Sequence, residues 1–394
     1  MTDYSIRNVR LASGELMPLL VAGSPLGLPI PLAARYAITR FRSRGLAANT
    51  ICQRLMALAL FYQFLAEHGI ELEERASKRQ FLTQEELVGL SDYCRQSHAA
   101  SKQAVVTPSF ALLRYTVAID YFCWVAEPII ARIVDDARRD AAYGALQSFL
   151  KITRSIAPRR VLVQSERLGL LPEQRTLFLR VIQPGSPENP FRPELQFRNY
   201  VMLLLEFQLG PRGGEVLGLK TFDVDFSESP ATLTIHRRHD DRDDPRATPA
   251  ATKTYGRLLA IGDHLRDVLD VWLSKEHRGN KARYPAAAKH PYLFVNYRGE
   301  PLSIRGFRKI IETLRRRHPT LGGLCHHILR HDWNDRWVDA AEEEGWDSNI
   351  SLRDQKYAMG WSDNSSMPLR YAKRAIRNST NKKILRLHAK GASK

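Results

Sequence analysis

A short basic stretch divides this chain into two parts whose residue patterns do not suit a single kind of fold. It runs from Ala157-Pro158-Arg159-Arg160 to Leu171-Pro172, is polar and aperiodic, and reads as a linker over residues 158–172. Before it, apolar residues recur at helical spacing. After it, helical runs alternate with short strand-like ones. At 394 residues the chain also exceeds what one hydrophobic core usually serves, so two domains are expected.

The first part divides further. Residues 1–30 are rich in Gly, Pro and Leu and read as an irregular arm. Residues 31–157 read as a helical bundle. Asn49-Thr50 suits the start of a helix carrying Ile51, Leu55, Leu58, Tyr62 and Leu65 on one face, ending before Gly69. Ser109 opens a second helix with Phe110, Leu113, Val117, Tyr121 and Trp124 as its apolar stripe, and Pro128 is expected to stop it. A third is expected from Ile129 to Leu150.

Residues 173–380 read as a mixed domain, mostly α with a small antiparallel sheet. A long apolar helix over Tyr200–Gln208 ends at Gly210-Pro211, and a short one follows from Gly213 to Leu219. Phe222–Phe226, Ala231–Arg237 and Gly256–Ile261 are strand-like, and Tyr292–Asn296 is a further short apolar run. Ser303–Arg317 is a basic helix. The tail, 381–394, places Ile384, Leu385 and Leu387 among Lys382, Lys383 and Arg386, which suits docking on a neighbouring copy or folding back on its own domain.

Fifty-nine Lys and Arg against 42 Asp and Glu leave a formal charge of +17. Such an excess draws a polyanion and makes binding salt-dependent through counterion release. The basic residues are spread along the chain rather than gathered on one amphipathic helix, which favours nucleic acid over a membrane surface. The four cysteines lie far apart with no paired metal-ligand spacing, and they read as reduced thiols. No apolar run reaches the ~18 residues of a membrane span, and no charged-then-apolar leader opens the chain. A cytoplasmic, nucleoid-associated protein is therefore expected.

Several residues of the second domain carry possible chemistry. Arg212 sits between two helices in Gly210-Pro211-Arg212-Gly213-Gly214-Glu215, where a guanidinium fork can meet phosphate oxygens and Glu215 lies one turn on. Lys253 lies on the approach to the third strand, placed to donate a proton, and Arg257 begins that strand. His327 and Arg330 fall one turn apart on a helix, with His331 following. Trp361 and Tyr371 come later. Taken singly, each of these has an ordinary structural explanation as a surface pair, an exposed lysine, a polar helix edge or a half-buried tyrosine.

In this order and at these intervals they resemble the tyrosine recombinase, or phage integrase, family. The resemblance covers roughly residues 172–380 and rests on Arg212-x-x-Glu215, Lys253, His327-x-x-Arg330-His331, Gly360-Trp361 and Leu369-Arg370-Tyr371. The chain departs from the usual pattern in having Trp361 where the family most often has histidine, and Gly213-Gly214 after the arginine. The His239–Thr252 loop is also longer and more acidic than typical.

The resemblance implies an α+β catalytic domain joined to an N-terminal helical domain that closes on duplex DNA. It implies Tyr371 as nucleophile, giving a 3′-phosphotyrosyl bond and a free 5′-hydroxyl. Arg212 and Arg330 would neutralise the phosphate, Lys253 would protonate the leaving oxygen, and His327 would hydrogen-bond the phosphate or take the tyrosine proton. Trp361 would donate its N–H, Glu215 would support Arg212, and Arg257, His331 and Arg370 would contact DNA. It further implies two copies per site, a tetramer on two paired sites, and no metal, ATP or other cofactor. A DNA-binding protein without catalysis and a relaxing topoisomerase are the alternatives.

Overall fold

The computed structural model describes residues 4–23, 27–98, 105–159, 169–238, 241, 244–246, 249–250, 252, 255–277, 279–371 and 373–391. The chain forms two units, Met1–Gln164 and Ser165–Lys394.

The first unit opens with a sheet rather than an irregular arm. Strand β1 (Tyr4–Arg10) pairs antiparallel with β2 (Leu16–Ala22), from Tyr4 opposite Ala22 to Arg10 opposite Leu16, and β2 pairs in turn with β3 (Leu28–Pro29). The turn between β1 and β2 closes through Gly14 at φ 83°, a conformation that glycine adopts at little cost. Leu20 and Val21, adjacent in β2 and so on opposite faces of it, are both buried.

Helices α1 (Pro31–Tyr36), α2 (Ala48–Glu67), α3 (Leu72–Ser77), α4 (Gln84–Arg95), α5 (Pro108–Ala131) and α6 (Asp136–Ile156) complete this unit. Ile51, Leu55 and Leu58 of α2 share one core with Tyr115, Ala118 and Phe122 of α5 and with Leu146 and Phe149 of α6. Two expected boundaries move. Helix α5 runs through Pro128 to Ala131: the ring removes one N–H rung, and burial of Val125, Ala126 and Ile130 around it offsets the loss. Helix α6 starts later than expected, where the Asp135 carboxylate accepts from the Arg138 N–H and caps its first turn.

The second unit contains α7 (Pro172–Ile182), α8 (Pro193–Leu209), α9 (Gly213–Gly218), α10 (Asp263–Val271), α11 (Ile304–Arg317), α12 (His326–Glu343), α13 (Ser348–Met359), α14 (Met367–Tyr371) and α15 (Lys373–Gly391). Its sheet is β4 (Val224–Asp225), β5 (Thr232–Ile235) and β6 (Arg257–Ala260), antiparallel in that order. The expected strand at Tyr292–Asn296 is reduced to isolated bridges, Lys220 with Tyr292 and Val295 with Pro301. The tail boundary expected at residue 381 falls inside α15.

Helix α8 is the axis of this unit. Val201, Met202, Leu203 and Leu205 have no exposed surface, so α8 is enclosed on every side along this apolar stretch. By contrast, α11 is amphipathic, with Phe307, Ile310, Ile311 and Leu314 buried and Arg305, Arg308 and Arg315 exposed. Among the described residues, no helix is long and apolar enough to cross a membrane.

Candidate active site

Helix α8 ends at Gly210, which takes the left-handed conformation at φ 61°, ψ 30°. A Cβ there would meet Trp333 Cβ and Cγ at 2.9 Å, so the position needs glycine for space as well as for backbone. The chain reverses through Pro211, and Arg212 becomes the residue that caps α9. The Arg212 N–H donates to Glu215 Oε2 at 2.8 Å, and its Nη1 lies 3.8 Å from Glu215 Oε1.

Glu215 also holds Arg257, the first residue of β6. Arg257 Nη1 and Nη2 donate to the two carboxylate oxygens at 3.2 and 2.8 Å, and its Nε donates to the Ala358 carbonyl at 2.6 Å. With its side chain only 1% exposed, Arg257 is a buried tie between β6, α9 and α13. The sequence resemblance gives Arg257 a contact with DNA; in the fold its guanidinium donates to the buried Glu215 carboxylate. A backbone bond from the Tyr255 N–H to the Gly360 carbonyl, 3.1 Å, reinforces the same junction.

Arg330 approaches from α12. Its Nη1 donates to the Gly210 carbonyl at 2.8 Å and its Nη2 to the Met359 carbonyl at 2.9 Å, so two backbone oxygens orient the guanidinium. It is 1% exposed, and burial first, then the positive charge of Arg212, pulls it down to about 10. Burial likewise lowers Arg212, while Glu215 opposes the shift. Both arginines remain cations at neutral pH, and a bound anion would relieve the cost of holding them together.

Trp361 follows Gly360, which ends α13 in the left-handed region at φ 63°. The Arg330 guanidinium carbon stands 5.4 Å from the Trp361 ring centroid, a cation–π distance. The indole also stacks on Tyr371, with centroids 5.3 Å apart and planes 17° apart. Tyr371 closes the five-residue helix α14 and is buried.

His327 and His331 of α12 differ in exposure. His331, expected on DNA, is buried with its ring 4.6 Å from that of Tyr371. His327 is exposed and meets His331 edge-on at 4.6 Å and 88°. Lys253 and the side chain of Arg370 lie outside the described residues.

Among the described residues, four buried polar atoms here have no hydrogen-bond partner: Arg212 Nη1, Arg330 Nε, Trp361 Nε1 and Tyr371 Oη. A buried donor left unpaired is costly, and these come from four separate segments brought to one place. Arg212, Trp361, Tyr255 and Ser362 line a cavity of about 310 Å³ together with Arg237. Arg237 was not singled out by the sequence. Its signal is positional, since it lies just beyond β5 in the hairpin that β6 completes.

Clustered cations, an indole donor and a phenol together make a site with the chemistry to hold a phosphate. Residues 188–376 match the phage integrase family. The second unit thus carries a phage integrase domain, and with its relatives this supports a tyrosine recombinase, a DNA breaking-and-rejoining enzyme of the site-specific recombinase class. Tyrosine recombinase XerD of Ralstonia nicotianae is 25% identical over 317 residues, spanning 79% of this chain and 84% of its own length. Tyrosine recombinase XerC of Bacillus subtilis is 26% identical over 246 residues, spanning 60% of this chain and 70% of its own. The fold matches that of the Tn1549 transposon integrase, solved with transposon right-end DNA, at a TM-score of 0.54 and 14% identity. That match covers 91% of this chain and 99% of the other.

Proposed function

We propose that the enzyme cuts and rejoins double-stranded DNA through a covalent 3′-phosphotyrosine at Tyr371, without metal or ATP. The observation that carries this reading is the meeting of Arg212 Nη1, Arg330 Nε, Trp361 Nε1 and Tyr371 Oη, four buried atoms without a hydrogen-bond partner among the described residues. Three donors are set for non-bridging phosphate oxygens, and the fourth atom is the nucleophile.

Tyr371 Oη forms a bond to phosphorus as the bond from phosphorus to the 5′ oxygen breaks. The phenol proton passes to an imidazole of the His327–His331 pair, and Lys253, on the sequence resemblance, supplies a proton to the departing 5′ oxygen. Arg212 and Arg330 balance the charge that develops on the phosphate, and pre-oriented donors in a dry site need no reorganisation at that moment. Because the phosphotyrosine keeps the bond energy, a 5′-hydroxyl from another strand can reverse the step. Strand exchange in this way takes two copies per site and four on two paired sites. The net charge of +17 supports duplex DNA as the partner, with nucleoid association following from it.

The test is a nicked cognate duplex incubated with protein in a chelator and without nucleotide. A covalent protein–DNA adduct is expected from the native chain and none from Tyr371→Phe. An adduct from Tyr371→Phe would remove Tyr371 as nucleophile. Relaxation of supercoils with no exchange of ends between two sites would replace strand exchange with a topoisomerase activity.

A further inference from the structure

The arginine pair is braced by a group of residues that the chemistry above does not use. Glu206 lies in α8 with no exposed surface, one helical turn before the Gly210 carbonyl that receives Arg330. His326 is the first residue of α12, one turn before Arg330 itself. The two side chains meet: His326 Nδ1 lies 3.0 and 2.9 Å from the Glu206 oxygens. His326 Nε2 lies 3.0 Å from the Phe307 carbonyl of α11. The imidazole also rests flat on the Phe307 ring, with centroids 3.5 Å apart and planes 7° apart.

Phe307 reaches the other arginine as well. A Cβ built on Gly213 would lie 2.9 Å from Phe307 Cε1, closer than side chains tolerate. One ring is therefore held between His326 and the residue that follows Arg212. This gives a reason for glycine at 213, since any side chain there would displace either Phe307 or the Arg212 backbone.

The hydrogen bonding fixes how the group is held. A carbonyl oxygen only accepts, so His326 Nε2 donates to Phe307. His326 Nδ1 faces a carboxyl group, and one proton must lie between them, on the imidazole or on the carboxyl. Burial raises the Glu206 carboxyl above its ordinary range, and the adjoining His326 opposes that rise. In either form the two helices are joined by a hydrogen bond to a buried carboxyl, one turn away from the Arg330–Gly210 bond.

We propose that Glu206, His326 and Phe307 are positioning residues that set the distance between the Arg212 and Arg330 guanidinium groups. His326 ties the start of α12 to α8, and Phe307 carries that constraint across to Gly213 and Arg212. The proposal rests on the reading of these two arginines as the phosphate-binding pair. None of the three side chains needs to touch DNA.

The test separates packing from positioning. Glu206→Leu combined with His326→Phe replaces the polar pair by an apolar one, an exchange that buried pairs often accept without loss of stability. The double variant is expected to melt near the native temperature and to bind a cognate duplex with native affinity. Its single-turnover cleavage of a nicked site is expected to fall about 10- to 100-fold, the scale of a misplacement near 1 Å. Gly213→Ala, which leaves the pair intact, is expected to slow cleavage similarly with DNA affinity unchanged. Glu206→Gln can donate to Nδ1 while Nε2 keeps its carbonyl, and it is expected to retain the native rate. A folded, DNA-bound double variant or Gly213→Ala cleaving at the native rate overturns the proposal, as does a Glu206→Gln as slow as the double variant. An adduct from Tyr371→Phe overturns the active-site reading beneath it. A native rate in the double variant, with Tyr371→Phe inert, overturns this inference alone.

Discussion

In the first unit the buried polar side chains, among the described residues, are Ser91 and Thr153, and the rest of its interior is aliphatic, aromatic or thiol. The second unit buries Arg198, Glu206, Glu215, Asp223, Arg246, Arg257, Arg330 and Asp332. Apolar burial stabilises whatever the exact arrangement, whereas a buried charge costs several kcal/mol unless a partner stands at the right place. The first core therefore tolerates small shifts. In the second, Glu215 fixes Arg257 and the backbone of Arg212, and Gly210 with Met359 fixes Arg330, so the charged interior records a required geometry.

Four substitutions test this contrast, from the largest effect down. Glu215→Ala strands the buried Arg257 cation and should destabilise the second unit by about 3–5 kcal/mol, read by chemical unfolding. A loss no larger than that of a surface ion pair would dissolve the contrast. Arg330→Lys keeps a charge but cannot span the Gly210 and Met359 carbonyls. It should slow single-turnover cleavage about 10²- to 10³-fold while the native fold persists, measured by adduct formation. In the first unit, Ile51→Val removes one methyl from a side chain with no exposed surface. Its expected cost is about 0.5–1.5 kcal/mol, with no change in cleavage per folded molecule. Asp92→Asn breaks the exposed Asp92–Arg95 pair and should move stability by about 0.5 kcal/mol or less.

The sequence was most informative where chemistry and spacing coincide. Arg212, His327-x-x-Arg330, Trp361 and Tyr371 stand out because few other arrangements of those residue types occur at such intervals, and the fold brings Arg212, Arg330, Trp361 and Tyr371 to one place. It was least informative where the answer depends on a partner far along the chain. Nothing local in Arg257 shows that Glu215, 42 residues earlier, will hold it. His331 looks like a polar helix edge until α14 lays Tyr371 against it. The strand Tyr4–Arg10 was hidden for the same reason, since its pairing with Leu16–Ala22 and the burial of that partner are not written in a Gly- and Pro-rich composition. Helix α5 continuing through Pro128 reflects the reverse case, a strong local signal outweighed by burial on both sides.

The carbonyl groups that receive Arg330 belong to Gly210 and Met359, and a carbonyl is chemically the same whatever side chain its residue bears. Exchanging side chains across the protein would therefore register the glycine through its backbone angle and the methionine through its packing. Neither signal would report the acceptor itself. That part of the arginine's grip lies outside the reach of the genetic alphabet, and replacing an amide by an ester on the backbone, which weakens the acceptor without altering a side chain, is the chemistry that addresses it.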